Sequence, residues 1–490
     1  MVSARSERVL GMSIAESGFR LLVAKVISTL VLFAGLVYFA RQLSPAAMGS
    51  FFLFRVLLDG LGLVSDFGIK RAVEKRLSEQ ETPSGIVTTG FLMKCVLTIL
   101  VALVLLLLRG VIDGYLGAPI THLLVVSLVV SELGWFYVHV LRGELRVGES
   151  AVIEASRLIV WIGVSVPLVE MEYGIQGIVY GFIAGQAVLG VWAFIRVDIS
   201  PARPSLPRAR SLLSFSKYDF VSESGGYVYN WVDVGIIGLL LTQSAVGIYE
   251  YAWQITIPIA LMYETTMTTL FPEMSRWHAD DSTDDIQRVI SQAMTIGLFV
   301  SVPAFFGALL LSESILGTLF GPAYVAGASV LVVLMAERVI GAFQSVMNIT
   351  LRGIDEPRQS AFVTTITIFM NLVLNFLLIP EYGIFGAALA TLATGVANVT
   401  LTYHFLQKHI EVRLPKGDGL KILAVSVLMA AVLLPLKSAV PIDGIVSLGA
   451  FVAAGMVVYL AVSSLSPVLR RDLILPGVRV VLTSVAPRRE

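Results

Sequence analysis

The chain has 490 residues, 56% of them hydrophobic and only 14% charged, with 35 Lys+Arg against 35 Asp+Glu. A soluble chain carries about 25% charged residues, so too few are present to coat soluble domains, and the apolar excess excludes disorder. The single cysteine, Cys95, excludes a disulfide scaffold, and zero net charge argues against nucleic-acid binding. What is left is an all-α polytopic membrane protein with a mean hydropathy of +0.83.

A membrane helix needs about 20 mostly apolar residues. In chain order such stretches fall near 21–40, 50–69, 86–108, 119–141, 151–169, 174–195, 218–241, 247–271, 293–311, 322–345, 359–379, 384–406, 420–438 and 442–464, fourteen in all. These runs are about twice the length of a barrel strand and do not alternate, which excludes a transmembrane β-barrel. The first 20 residues mix charged and apolar side chains without a signal-peptide cleavage pattern. With the N-terminus cytoplasmic, 26 Lys and Arg fall on inside segments and 3 (Arg41, Arg109 and Lys437) on outside ones. That asymmetry predicts both termini inside. The outside loops are expected to be short, too short to fold an acceptor-binding domain of a membrane transferase.

The chain repeats itself. Glu172-Tyr173-Gly174-Ile175-Gln176-Gly177 leads into the sixth span, and Glu381-Tyr382-Gly383-Ile384-Phe385-Gly386 leads into the twelfth. Leu141-Arg142-Gly143 returns as Leu351-Arg352-Gly353, and Ala47-Met48-Gly49 as Ala245-Val246-Gly247. Three matches in order, each at the equivalent connection, predict a duplicated unit of six helices. Six is even, so the two lobes are parallel, as in other two-lobed transporters. The expected organisation is an N-lobe at 1–200 with spans 1–6, a proline-rich cytoplasmic linker at 201–217, and a C-lobe at 218–410 with spans 7–12. Spans 13–14 and a cytoplasmic tail follow at 411–490.

The stretch from Leu374-Asn375-Phe376 through Pro380-Glu381-Tyr382-Gly383 to Ala390-Thr391 resembles the signature of spans 11–12 in the polysaccharide and oligosaccharide flippases. These belong to the multidrug/oligosaccharidyl-lipid/polysaccharide exporter superfamily. The segment from Asp233 to Gly247-Ile248-Tyr249 and the run Leu270-Phe271-Pro272-Glu273-Met274-Ser275 are similar to that family too. The resemblance covers about 1–410. It implies a cell-membrane transporter, bacterial or archaeal, that flips a polyprenyl-linked oligosaccharide by alternating access, with no chemical catalysis. The implied partners are the lipid-linked oligosaccharide, membrane lipids and glycan polymerase or glycosyltransferase machinery, and the expected state is a monomer. A cation-coupled drug or metabolite antiporter of the same superfamily is the alternative. A membrane-embedded glycosyl- or acyltransferase is a more distant one.

Charges inside a bilayer are costly and mark candidate sites. Arg55, Asp59, Gly62 and Asp66 recur at steps of four, three and four, so they share one helical face. Arg55 and Asp59 read either as a structural ion pair or as cavity lining. Asp66 corresponds by the repeat to Glu264, which suggests a matched acid in each lobe. Lys25 and Lys94 have no acid one turn away. With Arg55 they are candidates to attract a diphosphate, Arg by its bidentate fork and Lys as a point charge. The family resemblance implies such a basic cavity and also a sodium site, which maps onto Asp233, Asn371, Asn375 and Thr391. Asn375 stands where the family pattern has an acid. Alternatively the two asparagines hold helices together, and protonation of Asp233, Glu223 or Glu264 is a rival route of coupling. No cofactor is expected beyond a coupling Na⁺ or H⁺. His139 reads as a packing residue. No metal-ligand cluster, nucleophilic triad or phosphate loop is visible in the sequence.

Overall fold

A computed structural model describes residues 29–79, 83–199, 201–279, 283–354 and 356–466. Among them there is no strand. The chain divides into two compact units, 1–247 and 248–490. The first holds α1 (described over Thr29–Gln42), α2 (Pro45–Asp66), α3 (Ile69–Ser78), α4 (Pro83–Leu107), α5 (Arg109–Leu116), α6 (Thr121–Gly143), α7 (Val147–Glu170), α8 (Gly174–Arg196) and α9 (Leu206–Leu240). Helix α10 (Gln243–Ala279) begins at the boundary. The second unit continues with α11 (Thr283–Leu319), a 3₁₀ turn (Pro322–Gly327), α12 (Ala328–Gly353), α13 (Pro357–Leu406), α14 (Lys416–Ala439) and α15 (Ile445–Ser464).

Ten of the described helices are long and apolar enough to cross a membrane. The expected first span is described only from Thr29, and the apolar part of α9 is the shorter Asn230–Leu240. The expected spans 11 and 12 run together in α13, which breaks at Gly383. Along α4, Val96, Ile99, Leu100, Leu103 and Val104 are exposed, which is the surface a bilayer rather than water would cover.

Two connections expected as loops are helical. After α2, Phe67 and Gly68 both take left-handed backbone angles and reverse the chain into α3. Helix α3 buries Ile69, Ala72, Val73 and Leu77 against Ile86, Phe136, Val140 and Leu212. Its Lys70, Arg71, Lys75 and Arg76 therefore sit on an ordered helix instead of a loose loop. Helix α5 forms the connection after α4. There Asp113 accepts hydrogen bonds from the backbone N–H (2.9 Å) and hydroxyl (2.7 Å) of Thr121 and so ties α5 to the start of α6.

Each of the duplicated turns has a glycine at positive φ. Gly174 has φ +56° and Gly383 has φ +59°, a region open to glycine at little cost. Beyond the first turn, Gly177, Gly181 and Gly185 form a stripe along α8. A Cβ at these positions would meet Leu168 at 3.1 Å, Ser165 Oγ at 2.1 Å and the Arg157 carbonyl at 2.5 Å. Small residues at this spacing let α7 and α8 touch backbone to backbone, which holds Arg157 in place. The repeated Gly49 and Gly247 also meet: their Cβ positions fall on the carbonyl oxygens of Gln243 (1.7 Å) and Pro45 (2.1 Å), reciprocally.

Helix α9 packs on α2, α3 and α4, so the first compact unit reaches past the expected linker. In the second unit, Ile286, Ile290 and Met294 of α11 pack with Val346, Met347 and Leu351 of α12 and Leu406 of α13. Helices α14 and α15 lean on α11 through Leu311, Met429, Leu433, Phe451 and Tyr459. Tyr459 donates to the Phe299 carbonyl at 3.0 Å, and Lys437 donates to the Leu310 carbonyl at 2.6 Å.

Candidate functional site: a charged cavity in the first unit

The polar face of α2 opens on a cavity of about 590 Å³, a size suited to a small-molecule headgroup. Arg55, Asp59, Gly62 and Asp66 line it from α2, Lys70 and Arg71 from α3, and Ser131, Glu132, Trp135 and His139 from α6. Arg157 comes from α7, Phe182 and Gln186 from α8, and Glu223 and Tyr227 from α9. Tyr227 donates to the Val56 carbonyl at 2.8 Å, which fastens α9 to α2. Gly62 leaves room for Glu132, whose Oε1 lies 2.8 Å from where a Cβ would stand.

Most charges in the wall neutralise one another. Arg55 pairs with Asp59 at 3.0 Å, one turn on, and its guanidinium lies 5.0 Å from the Phe182 ring centre. Lys94 is fully buried behind the wall, with its ammonium between Asp66, at 2.5 Å, and Glu132. Lys70 adds a second cation, 3.5 Å from Glu132 and 4.0 Å from Asp66. Arg71 reaches Glu223 at 2.8 Å and Asp219 at 3.4 Å. His139 contacts Glu74 of α3 at 2.6 Å. That hydrogen bond holds the Glu74 carboxyl below the usual carboxylate range, against the desolvation of its half-buried position.

Arg157 is different. Its guanidinium lies 5.9 Å from the Trp135 ring centre. Among the described residues no carboxylate comes within ion-pair distance, since neighbouring Glu154 is taken by Arg142 at 2.6 Å. Its Nε is enclosed without an acceptor, and so is Nε of Arg55. A buried donor without a partner is expensive, so both guanidinium groups hold unmet hydrogen-bonding capacity at the cavity wall. A phosphate oxygen is the natural match for a guanidinium fork.

The structure thus places Arg55, Asp59 and Asp66 together on the cavity and seals Lys94 behind it. Lys25 lies outside the described residues, and Glu264 is on α10 with its side chain outside them. Of the four residues assigned to cation coupling, Asp233 is buried on α9 in the first unit. The others lie on α13 in the second. Asn375 is fully buried, and its amide donates to the backbone oxygen and Oδ1 of Asn371, both at 3.0 Å. The Thr391 hydroxyl donates back to the Ala387 carbonyl at 3.1 Å. Among the described residues, no three His, Cys, Asp or Glu side chains are grouped to hold a metal.

Sequence reasoning passed over Arg157 and Glu132. Both are ionisable residues in apolar stretches, which is itself the signal. Their partners, or the lack of one, appear only when α2, α4, α6 and α7 are brought together.

Residues 38–329 match the family described as "Polysaccharide biosynthesis protein". The chain is 34% identical to the probable low-salt glycan biosynthesis flippase Agl15 of Haloferax volcanii, over 96% of this chain and all of that one. It is 29% identical to the probable flippase AglR of the same organism, over 86% of this chain and 90% of the relative. Among solved structures it is similar to the lipid II flippase MurJ in an inward closed conformation, with a TM-score of 0.77 at 16% identity, covering 93% of this chain and 99% of that one. It is also similar to an inward-facing multidrug resistance MATE family transporter of the MOP superfamily, with a TM-score of 0.60 at 13% identity, covering 80% of this chain and 98% of that one. The family match spans more than half of the chain and a flippase 34% identical covers 96% of it, so the chain belongs to the polysaccharide biosynthesis protein family, among its flippases.

Proposed function

We propose that the protein flips a polyprenyl phosphate- or diphosphate-linked oligosaccharide across the cell membrane, for assembly of a surface polysaccharide or a protein-linked glycan. The single observation that carries this reading is Arg157, a guanidinium without a carboxylate partner among the described residues, in a cavity whose other described charges are paired. An anionic headgroup there gains a charge-assisted contact without breaking an existing ion pair. A cationic drug would meet an unpaired positive charge, which disfavours the antiporter alternative. The cycle is alternating access: the headgroup enters from the cytoplasmic leaflet, the polyprenyl tail stays in lipid, and no covalent step takes place. The 26-to-3 distribution of Lys and Arg supports cytoplasmic termini and, with fourteen spans, an even number of crossings. Na⁺ or H⁺ resets the cycle, with Asp233, Asn371, Asn375 and Thr391 as the candidate coupling residues. Glycosyltransferases supply the substrate and a polymerase or a protein glycan transferase consumes it.

The test is a strain deleted for this gene. Lipid-linked oligosaccharide should accumulate on the cytoplasmic leaflet and be cleared by the wild-type gene. Arg157→Gln should fail to clear it although the protein reaches the membrane, and Arg157→Lys should restore part of the transport. Full clearance by Arg157→Gln would refute this use of the cavity.

A further inference from the structure

Apart from the charged cavity, the first unit carries an apolar groove of about 720 Å³ between α4 and the start of α9. The two share no lining residue. Leu92, Met93, Val96 and Leu97 line the groove from α4, and Leu206, Ala209 and Leu213, at steps of three and four, line it from one face of α9. From Thr89 to Leu97 it follows α4 for about 12 Å. Leu92 and Val96 are 45% and 57% exposed and continue the apolar face of α4 that a bilayer covers. A hydrocarbon chain from that bilayer is the matching occupant.

One end of the groove is polar and built. The backbone N–H of Ala202 donates to the Thr88 hydroxyl at 3.0 Å, and that of Ser205 to the Thr89 hydroxyl at 3.3 Å. The proline-rich linker is thereby fastened to the beginning of α4. Arg208 crosses to the same turns: a Cβ at Gly85 would stand 2.7 Å from its Nε, and its Nη1 donates to the Arg203 carbonyl at 3.4 Å. Between Asp198 and Asp219 the chain holds Arg203, Arg208, Arg210 and Lys217 and no acid. Arg203 and Arg210 are exposed, and neither pairs with a carboxylate among the described residues. A cluster of cations beside a bilayer-facing groove complements an anionic headgroup. The chain's own ends do not fit this rim by charge, since residues 1–28 carry four cations against two acids and residues 467–490 five against two.

We propose that this groove binds an anionic glycerophospholipid of the surrounding bilayer, with one hydrocarbon chain between α4 and α9 and the phosphate against Arg203, Arg208 and Arg210. The bound lipid bridges α4 to the linker that leads into α9, so the charge of the membrane bears on how firmly α9 is held. The site is separate from the cavity assigned to transport and does not depend on that assignment.

The experiment uses the full chain in detergent and measures lipid binding by native mass spectrometry with dioleoyl phosphatidylglycerol and dioleoyl phosphatidylcholine, which share their chains and differ in net charge. The wild-type protein should bind phosphatidylglycerol more tightly and unfold at a higher temperature in its presence. Arg203→Gln and Arg210→Gln should each lower that preference about 5-fold, the equivalent of about 1 kcal/mol for one cation near an anionic lipid surface. Arg203→Lys and Arg210→Lys should keep it, because the charge is retained. Val96→Trp, at an exposed position, fills the groove and should weaken both lipids together. The proposal is overturned if both lipids bind the wild type equally, if the glutamine variants keep the full preference, or if Val96→Trp binds lipid as the wild type does. It is also overturned if undecaprenyl phosphate binds the groove more tightly than phosphatidylglycerol, since the groove then belongs to the transported lipid. Arg157→Gln should leave phosphatidylglycerol binding unchanged, which keeps this result distinct from the fate of the flippase reading.

Discussion

Lys94→Met is the sharpest test of how the first unit is held together. Lys94 is 0% exposed, Asp66 1% and Glu132 6%. The ammonium lies between the two carboxylates, 2.5 Å from Asp66 Oδ1. Methionine keeps most of the volume and removes the charge, leaving two buried carboxylates to share Lys70, which stands 3.5 Å from one and 4.0 Å from the other. Breaking a buried pair on one side costs about 3–5 kcal/mol, because the remaining charge stays buried. Neutralising the surplus acid should undo most of that loss, since Lys70 and Asp66 then balance one to one. Lys94→Met with Glu132→Gln is therefore expected to be more stable than Lys94→Met alone, with a coupling energy of up to ~3 kcal/mol. The assay is the thermal unfolding midpoint of purified protein in detergent for the four members of the cycle. If Lys94→Met unfolds at the wild-type temperature, or if the double variant is worse than either single one, the buried ion cluster is not what holds α2, α4 and α6 together.

Three other outcomes follow from the packing and the surface charges. Gly181→Ala puts a methyl 2.1 Å from Ser165 Oγ. It should cost about 1–3 kcal/mol by overpacking and impair glycan export by moving Arg157, as read by unfolding midpoint and by leaflet distribution of the lipid-linked glycan. Gly174→Ala and Gly383→Ala should each lower stability by about 1 kcal/mol or more, because each places a Cβ at positive φ; equal stability of either variant would refute the assigned turn. The Glu74 carboxyl is depressed by its hydrogen bond with His139. Its contribution is present above the unfolded carboxylate value, about 4.3, and is lost as pH falls below that value through the depressed folded one. Glu74→Gln should therefore flatten the acid-side decline of the unfolding midpoint, and an unchanged decline would remove the His139–Glu74 contact from the account.

Several features of the fold are legible in the chain itself. The polar face of α2 follows from helical period, because residues at steps of four and three point the same way. The two Glu-Tyr-Gly-Ile turns show their likeness in sequence, and their glycines both stand at positive φ. Helix α3 was harder to see. Its ten residues are too short to register as a span, and its basic side chains resemble a cytoplasmic loop until Ile69, Ala72, Val73 and Leu77 are found buried. Lys94 shows why site residues are the least legible. Its acids lie 28 and 38 residues away, on helices that the sequence does not say are neighbours.

By itself, the sequence determined the solvent of this protein and the positions of its helices. Both depend on composition and on period along the chain, and a bilayer enforces them by making every exposed backbone group costly. Tertiary structure alone decided which intramembrane charges cancel and which one is left over. Ion pairing falls with distance in space, and separation along the chain carries no information about that distance. That is how a balance of 35 against 35 over the whole chain becomes, inside one cavity and among the described residues, a set of matched pairs and an arginine at position 157 with no carboxylate beside it.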